Sequence, residues 1–243
     1  MRKRYLAIDT TTEACSVALG YGNDVQSRYT EEPRQHANLV LPMVDELLVD
    51  AGIGLNQLDG IVFCQGPGAF TGLRIGAGVV QGLAFSADLP VLGVSTLATI
   101  AQRAYREYNV MNVHAAIDAR MGEIYWGSYS LLVDQPSSVM VLQGEEQVVK
   151  PSEVSPVHLP ANTSSWAGCG TGWGFVSDLK HVGIQSSDIY DGLLPHALDA
   201  LTLGQQRLDE GEGVAAELAL PQYVRNNVAK KKSEQGSRPS RRS

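Results

Sequence analysis

Few residues in this sequence could do acid–base, metal or phosphate chemistry, and their spacing narrows what each can do. Asp9 closes the apolar run Tyr5-Leu6-Ala7-Ile8, and Asp118 closes a second run that again reads Ala-Ile-Asp, 109 residues later. A carboxylate at the end of a buried strand can handle a metal or a phosphate, since ligands of open α/β sheets sit beyond the strand ends. Such sites put glycine beside the acid, so that backbone N–H groups can approach the anion. Here Asp9 precedes Thr10-Thr11-Thr12, and Asp118 precedes Ala119-Arg120. Between the two acids lies Gly66-Pro67-Gly68-Ala69-Phe70-Thr71-Gly72-Leu73-Arg74-Ile75-Gly76. This glycine turn joins the apolar run Ile61–Cys64 to a helical pattern over 73–85. A P-loop needs Lys and Ser or Thr after its last glycine, but Leu73 and Arg74 follow Gly72. A dinucleotide fingerprint needs glycine at its sixth position, where Thr71 stands. Arg74 can meet an anion, but it reads better as half of a structural or interface salt bridge.

The remaining chemistries fail on spacing. No two of His36, His114, His158, His181 and His196 lie three to five residues apart, so no helical pair can clasp a metal, and each reads as a surface or capping residue. Alternating glycines at 168, 170, 172 and 174 read as a chain turn. There is no Gly-x-Ser-x-Gly elbow, and Ser16 and Cys15 have no base beside them. No catalytic, cofactor or metal residue is therefore expected, and no cofactor. Cys15, Cys64 and Cys169 form no CxxC, and an odd count argues against a disulfide framework, which suits a reduced, cytoplasmic setting. The apolar run after Met1-Arg2-Lys3-Arg4 is too short for a signal peptide, and no uninterrupted apolar stretch suits a membrane. Net charge is −7. Residues 229–243 hold six bases and one acid, so the body carries −12. An acidic body is a poor nucleic-acid surface. The Ser-, Gly- and Lys-rich tail reads as disordered.

The elements that must position these residues follow from periodicity. Strands are expected over 5–9, 14–19 and 25–30, then a helix opened by Pro33 and Arg34. Its stripe is Leu39, Met43, Val44, Leu47 and Leu48, and Pro42 predicts a kink or a start near Leu39. A strand over 58–64, the glycine turn with its helix, a strand over 90–94 and a helix capped by Ser95 complete a β-β-β-α-β-α-β-α unit. A weaker echo begins at Val113, with strands over 113–119, 124–131, 139–149 and 166–170 and a helix over 194–208. Two copies of one unit imply an internal duplication. The expected fold class is α/β, two-lobed, of the actin-like or sugar-kinase-like (ASKHA, RNase H-like) type, with the turns after Asp9 and Asp118 facing one cleft. The expected lobes are 1–108, with 214–228 returning to it, and 109–213, followed by the basic tail 229–243.

The second helix carries Gly72 and Gly76 at spacing four, and Gly78 and Gly82 at spacing four. Each interior glycine costs about 1 kcal/mol relative to alanine, so the helix must gain from close backbone approach. Its neighbour on that side is either this chain's own sheet and first helix or another chain.

Several motifs in order resemble the TsaB (YeaZ) family. They are Ala7–Thr12 with Ala14–Leu19, Gly66–Gly76, Gly93–Leu97, Ala116–Glu123 and Pro221–Ala229. The resemblance spans about residues 1–230. It implies a subunit of the machinery that makes N6-threonylcarbamoyladenosine at position 37 of tRNAs reading A-starting codons. In that family the chain is the non-catalytic dimer partner of the threonylcarbamoyl transferase TsaD, and an ATPase subunit, TsaE, joins the complex, so tRNA is met only indirectly. The sister's two metal-binding histidines, placed after its Gly-Val, fall here on Thr96 and Ile100, which cannot replace them. The family's subunits pair through helices of their first lobes. That implies a partner face at Leu39, Met43, Leu47, Gly72, Arg74, Gly76 and Val80. The same helices could pair two copies of this chain. The alternative from another class is a stand-alone ATP-dependent phosphotransferase or ATPase of the actin-like fold.

Overall fold

A computed structural model describes residues 3–21, 24–133, 138–157 and 165–224. The first sheet is built from β1 (Arg4–Asp9), β2 (Cys15–Tyr21), β3 (Asp24–Thr30), β4 (Gly60–Gly66) and β5 (Val91–Ser95), in the order β3-β2-β1-β4-β5. The first three strands form an antiparallel meander, while β4 and β5 run parallel to β1. Strands buried on both faces read as continuous apolar runs, and here the period of two sorts their side chains between two cores. Leu6 and Ile8 of β1 and Ile61 and Phe63 of β4 face one side, where α1 (His36–Ala51) and α2 (Phe70–Ala87) lie. Tyr5, Ala7, Val62 and Cys64 face the other. Pro42 lies inside α1, which runs uninterrupted from His36.

The second sheet repeats the first. Strands β6 (Asn112–Arg120), β7 (Glu123–Val133), β8 (Ser138–Leu142), β10 (Ala167–Cys169) and β11 (Ile189–Tyr190) take the order β11-β10-β6-β7-β8. With β6 matched to β1, that is the same antiparallel meander followed by two parallel strands. One difference stands out. In the first unit β3 pairs with β2 along its whole length, from Cys15 to Tyr21. In the second unit the equivalent strand is split. Residues 138–142 pair with the distal half of β7, and β9 (Gln147–Val149) pairs with Ile124–Trp126, leaving the loop 143–146 between them. The single strand expected over 139–149 is thus two. Short 3-10 turns at Pro151–Glu153 and Thr171–Phe175 stand where the first unit has α1 and α2.

The third helices of the two units are exchanged. Ser95 caps α3 (Thr96–Tyr108) as its type predicts, its Oγ accepting from Leu97 N at 3.1 Å and Ala98 N at 3.3 Å. The apolar face of α3, Leu97, Ile100, Ala101 and Ala104, packs on β6 and β10 of the second sheet. Helix α4 (Ala197–Asp209) follows the second unit but packs Ala197, Ala200, Leu201 and Leu208 on the first sheet, against Ala7, Ala18 and Val62. The two helices meet through Arg106 and Asp199, whose two hydrogen bonds are both 2.8 Å long. After α4 the chain returns to the first sheet. Val214 pairs with Val91, and Gln222 N donates to Gln65 O at 2.7 Å. Ala216 and Ala219 join the core beneath α2. His158, residues 225–228 and the basic tail lie outside the described residues. Among the described residues no helix is long and apolar enough to cross a membrane.

Candidate functional site

The turns after β1 and β6 face one cleft. Thr11, Thr12 and Glu13 from the first unit and Asp118, Arg120 and Thr171 from the second line a cavity of about 390 Å³. The two carboxylates are placed differently. Asp118 lies at the cleft wall, its Oδ1 accepting from Arg120 N at 2.8 Å and its Oδ2 from Arg120 Nη1 at 3.0 Å. Arg120 also approaches Glu13, at 3.6 Å. Asp9 is fully buried and does not line the cavity. Its Oδ1 accepts from Thr11 N at 3.1 Å and from Thr11 Oγ1 at 2.7 Å, and its Oδ2 has no partner among the described residues. Burial raises this carboxyl above its ordinary value, against the lowering effect of the Thr11 hydrogen bonds. His36 Nε2 donates to Thr12 O at 2.9 Å and Ala14 O at 3.1 Å, which clamps the same turn from behind. His114, by its spacing a surface or capping residue, is instead buried and stacked on Trp166 with ring centroids 4.0 Å apart. Among the described residues no group of three His, Cys, Asp or Glu side chains could hold a metal ion.

The glycine turn is filled by the chain itself. Ala69 N donates to Thr11 O at 2.7 Å, and Thr10 Oγ1 donates to Gly72 O at 2.8 Å. A Cβ added at Gly68 would lie 2.2 Å from Thr11 O, one at Gly72 2.0 Å from Thr10 O, and one at Gly76 2.6 Å from Thr10 Oγ1. These glycines let α2 lie directly on the turn after Asp9. Gly78 and Gly82 are the opposite case, with nothing within 4 Å of an added Cβ. The two spacing-four pairs therefore lie on different faces of α2, one inward and one outward.

The residues expected at a partner face divide in the same way. Leu47 and Val80 are completely buried in the first core, and Gly72 and Gly76 are buried against Thr10. Leu39 and Met43 are half-buried at the edge of that core. Arg74 is exposed and lies over the Phe70 ring, 3.6 Å from its centroid, and no ion pair holds it among the described residues. The outward surface beside them is apolar or small. Phe85 is 82% exposed and Val49 69%, with Leu218 and Leu220 of the returning segment also exposed. Gly78, Gln81, Gly82, Phe85, Ala216 and Glu217 line an open groove of about 420 Å³. Phe85 carries a signal legible in the sequence, since it breaks from the small residues of α2. Leu218 and Leu220 carry none, because only the return of the chain brings them beside α2.

A cleft with its first acid buried behind it, together with an outward helix face of Gly78, Gly82 and exposed Phe85, belongs to a duplicated α/β protein of the actin-like class. The chain belongs to the TsaB (YeaZ) family. The sequence profile of the TsaD family, tRNA N6-adenosine threonylcarbamoyltransferase, matches residues 30–233. The tRNA threonylcarbamoyladenosine biosynthesis protein TsaB of Escherichia coli K12 is 45% identical over 232 residues, covering 94% of this chain and 97% of that protein. Its counterpart in Haemophilus influenzae is 40% identical over 231 residues, covering 93% and 95%. A solved structure described as YeaZ from Pseudomonas aeruginosa superposes with a TM-score of 0.81 at 50% identity, covering 91% of this chain and 99% of that one. A second structure from that organism, described as similar to peptidase YEAZ, gives 0.84 at 50% identity, covering 92% and 100%.

Proposed function

We propose that this chain is the non-catalytic binding and activating subunit of the machinery that forms N6-threonylcarbamoyladenosine at position 37 of tRNAs reading A-starting codons. Its direct partner is a TsaD-like threonylcarbamoyl transferase, a TsaE-like ATPase joins the larger complex, and the setting is cytoplasmic. The observation that carries the reading is the outward face of α2, where Gly78, Gly82 and Phe85 lie open beside the returning segment. A helix that keeps two glycines with empty space above them forgoes about 2 kcal/mol of helix propensity. Close approach of a partner helix recovers that cost. In this reading Leu39 and Met43, at the edge of the first core, and exposed Arg74 would extend the face, while buried Leu47, Gly72, Gly76 and Val80 hold its helices in place. The lobe that presents it comprises the first sheet with α1, α2, α4 and the returning segment, rather than the expected 1–108, because α3 packs on the second sheet.

The test is to mix the chain with the TsaD-like subunit of the same organism. Complex formation is read by light scattering, and modified nucleoside by mass spectrometry of tRNA. Complex and product are expected together, and Gly82→Arg should abolish both without lowering the melting temperature of the isolated chain. A Gly82→Arg variant that binds and supports modification normally overturns the proposed face. Titration of the chain alone with ATP and Mg²⁺ addresses the enzyme reading. Micromolar binding with turnover would replace the proposed subunit role by a phosphotransferase or ATPase.

A further inference from the structure

A second cavity, of about 370 Å³, is lined by β5 and β8, the edge strands of the two sheets. Each edge is closed over part of its length. Val91 exchanges two hydrogen bonds of 2.8 Å with Val214. The Gln102 side chain donates to Ser138 O at 3.2 Å and accepts from Met140 N at 2.8 Å. Along a strand, the N–H and C=O of every second residue point the same way. Gly93 and Leu142 therefore present theirs just past these closures, where no strand pairs with them among the described residues. Open strand edges accept an added extended segment.

One carboxylate faces this space. Glu146 ends the loop 143–146, the break between β8 and β9 that has no counterpart in the first unit. Ser95 Oγ and Tyr129 Oη both donate to its Oε1, which fixes its orientation. Its second oxygen, Oε2, has no protein partner among the described residues. Burial pushes this carboxyl above its ordinary value, so a positive group beside it would restore its charged form. The other charged group of the wall, Arg207, is already paired with Glu212, near Val214 at the far end of β5.

The chain itself arrives at this cavity. Gln222 N donates to Gln65 O at 2.7 Å, and Gln65 Nε2, on the cavity wall, donates to Gln222 Oε1 at 2.9 Å. Gln222 O lies against Gly66, which pairs with Ser95. The described residues end two positions later, at Val224. Residues 225–232 read Arg-Asn-Asn-Val-Ala-Lys-Lys-Lys, with four bases, no acid and one apolar pair. Fully extended, eight residues span about 25 Å, enough to pass along the cavity from Gln65.

We propose that residues 225–232 dock in this groove along the open strand edges, with Val228 and Ala229 against the apolar wall of Val94, Ala98 and Leu142 and their bases turned to Glu146 Oε2. Gln222 is anchored to the first sheet and Glu146 belongs to the second, so the docked segment ties the two sheets together.

The test places a nitroxide on Ser233→Cys of the full chain, where the three native cysteines are buried and stay unlabelled. Loss of amide NMR signal is expected at Val94, Ala98 and Leu142. A mixture of nitroxide-bearing chain without isotope and isotope-labelled chain without nitroxide should show no such loss, because the segment docks on its own molecule. Glu146→Gln keeps an acceptor for Ser95 and Tyr129 but removes the charge, and it should restore the signal, as should high salt. The variant Arg225→Gln/Lys230→Gln/Lys231→Gln/Lys232→Gln changes none of the described residues and should restore it too, which keeps the test open if Glu146→Gln does not fold. Four results would each overturn the proposal. They are weak broadening spread over the whole surface, broadening centred on Gly78 and Phe85 or on the cleft at Glu13 and Asp118, loss of signal in the mixture, which would make a second copy the donor of the segment, and undiminished loss when the four bases are neutralised.

Discussion

The four glycines of α2 should respond to alanine in opposite directions. At Gly78 and Gly82 an added Cβ meets nothing within 4 Å. Each Gly→Ala change there gains the helix-propensity difference, about 1 kcal/mol. At Gly72 the Cβ would sit 2.0 Å from the Thr10 carbonyl oxygen, which is backbone and cannot rotate away. At Gly76 it would sit 2.6 Å from Thr10 Oγ1, and that hydroxyl is tied to Gly72 O at 2.8 Å. Moving it strands a buried hydrogen bond, at a cost of about 1–3 kcal/mol, and forcing apart a packed contact costs about 1–3 kcal/mol. Gly72→Ala should therefore lose about 2 kcal/mol or more. Gly76→Ala should lose about 1 kcal/mol, because its propensity gain offsets part of the damage. For a chain of this length 1 kcal/mol moves the melting temperature by about 2–4 °C. Calorimetry of the four single variants reads the result directly. A stabilised Gly72→Ala, or a Gly78→Ala that melts well below the parent, would refute the assignment of inward and outward faces. The double variant Gly78→Ala/Gly82→Ala then separates folding from docking, since it should melt higher and still bind the partner more weakly.

Other consequences can be measured singly. Arg106→Met strands the Asp199 carboxylate, which is 1% exposed, and should cost about 3 kcal/mol in urea unfolding. Asp199→Ala, which releases a guanidinium already one-third exposed, should cost less. Asp9 titrates in the folded chain above its ordinary 3.8. The native state thus keeps the Asp9 proton where the unfolded chain has lost it. Its contribution to stability is complete at pH below about 3.8 and is lost as pH rises through the native value. The stability of the parent relative to Asp9→Asn should fall over that rise, and a difference independent of pH would contradict the buried, unpartnered Oδ2. All three cysteines are buried, with the Cys15 and Cys169 thiols pushed up to about 12. A thiol reagent at neutral pH should react only at the rate of unfolding, and fast labelling of the native chain would show that these interiors open.

Much of this architecture is legible in the residues because it depends on local pattern. The runs ending in Asp9 and Asp118 become equivalent strands, since alternating apolar side chains need two buried faces wherever they occur. Ser95 caps its helix because a hydroxyl before a helical run has that one local use. The facing of α2 was not legible. Its two glycine pairs have the same spacing, but Gly78 lies two residues after Gly76, about 200° around the helix. Only the tertiary neighbour Thr10 decides which pair is inward. Leu47 and Val80 were expected outside for the same reason, because an apolar stripe does not say whether its own sheet or a partner covers it. The Glu146 cluster was invisible because Ser95, Tyr129 and Glu146 are far apart in sequence and meet only where the strand breaks. Glu145-Glu146 therefore looks like any solvated acidic pair.

The exchange of α3 and α4 sets a schedule for making the protein. The first sheet is complete when β5 ends at Ser95, but the helix that covers its second face finishes only at Asp209. At about 5–20 residues per second a ribosome needs on the order of ten seconds to supply it. Throughout that interval Tyr5, Ala7, Val62 and Leu92 lack their cover, while α3, already made, waits for a sheet that has not been synthesised. The second sheet has α3 at hand once β11 ends at Tyr190, so the unit begun first is the one whose interior closes last, when α4 emerges.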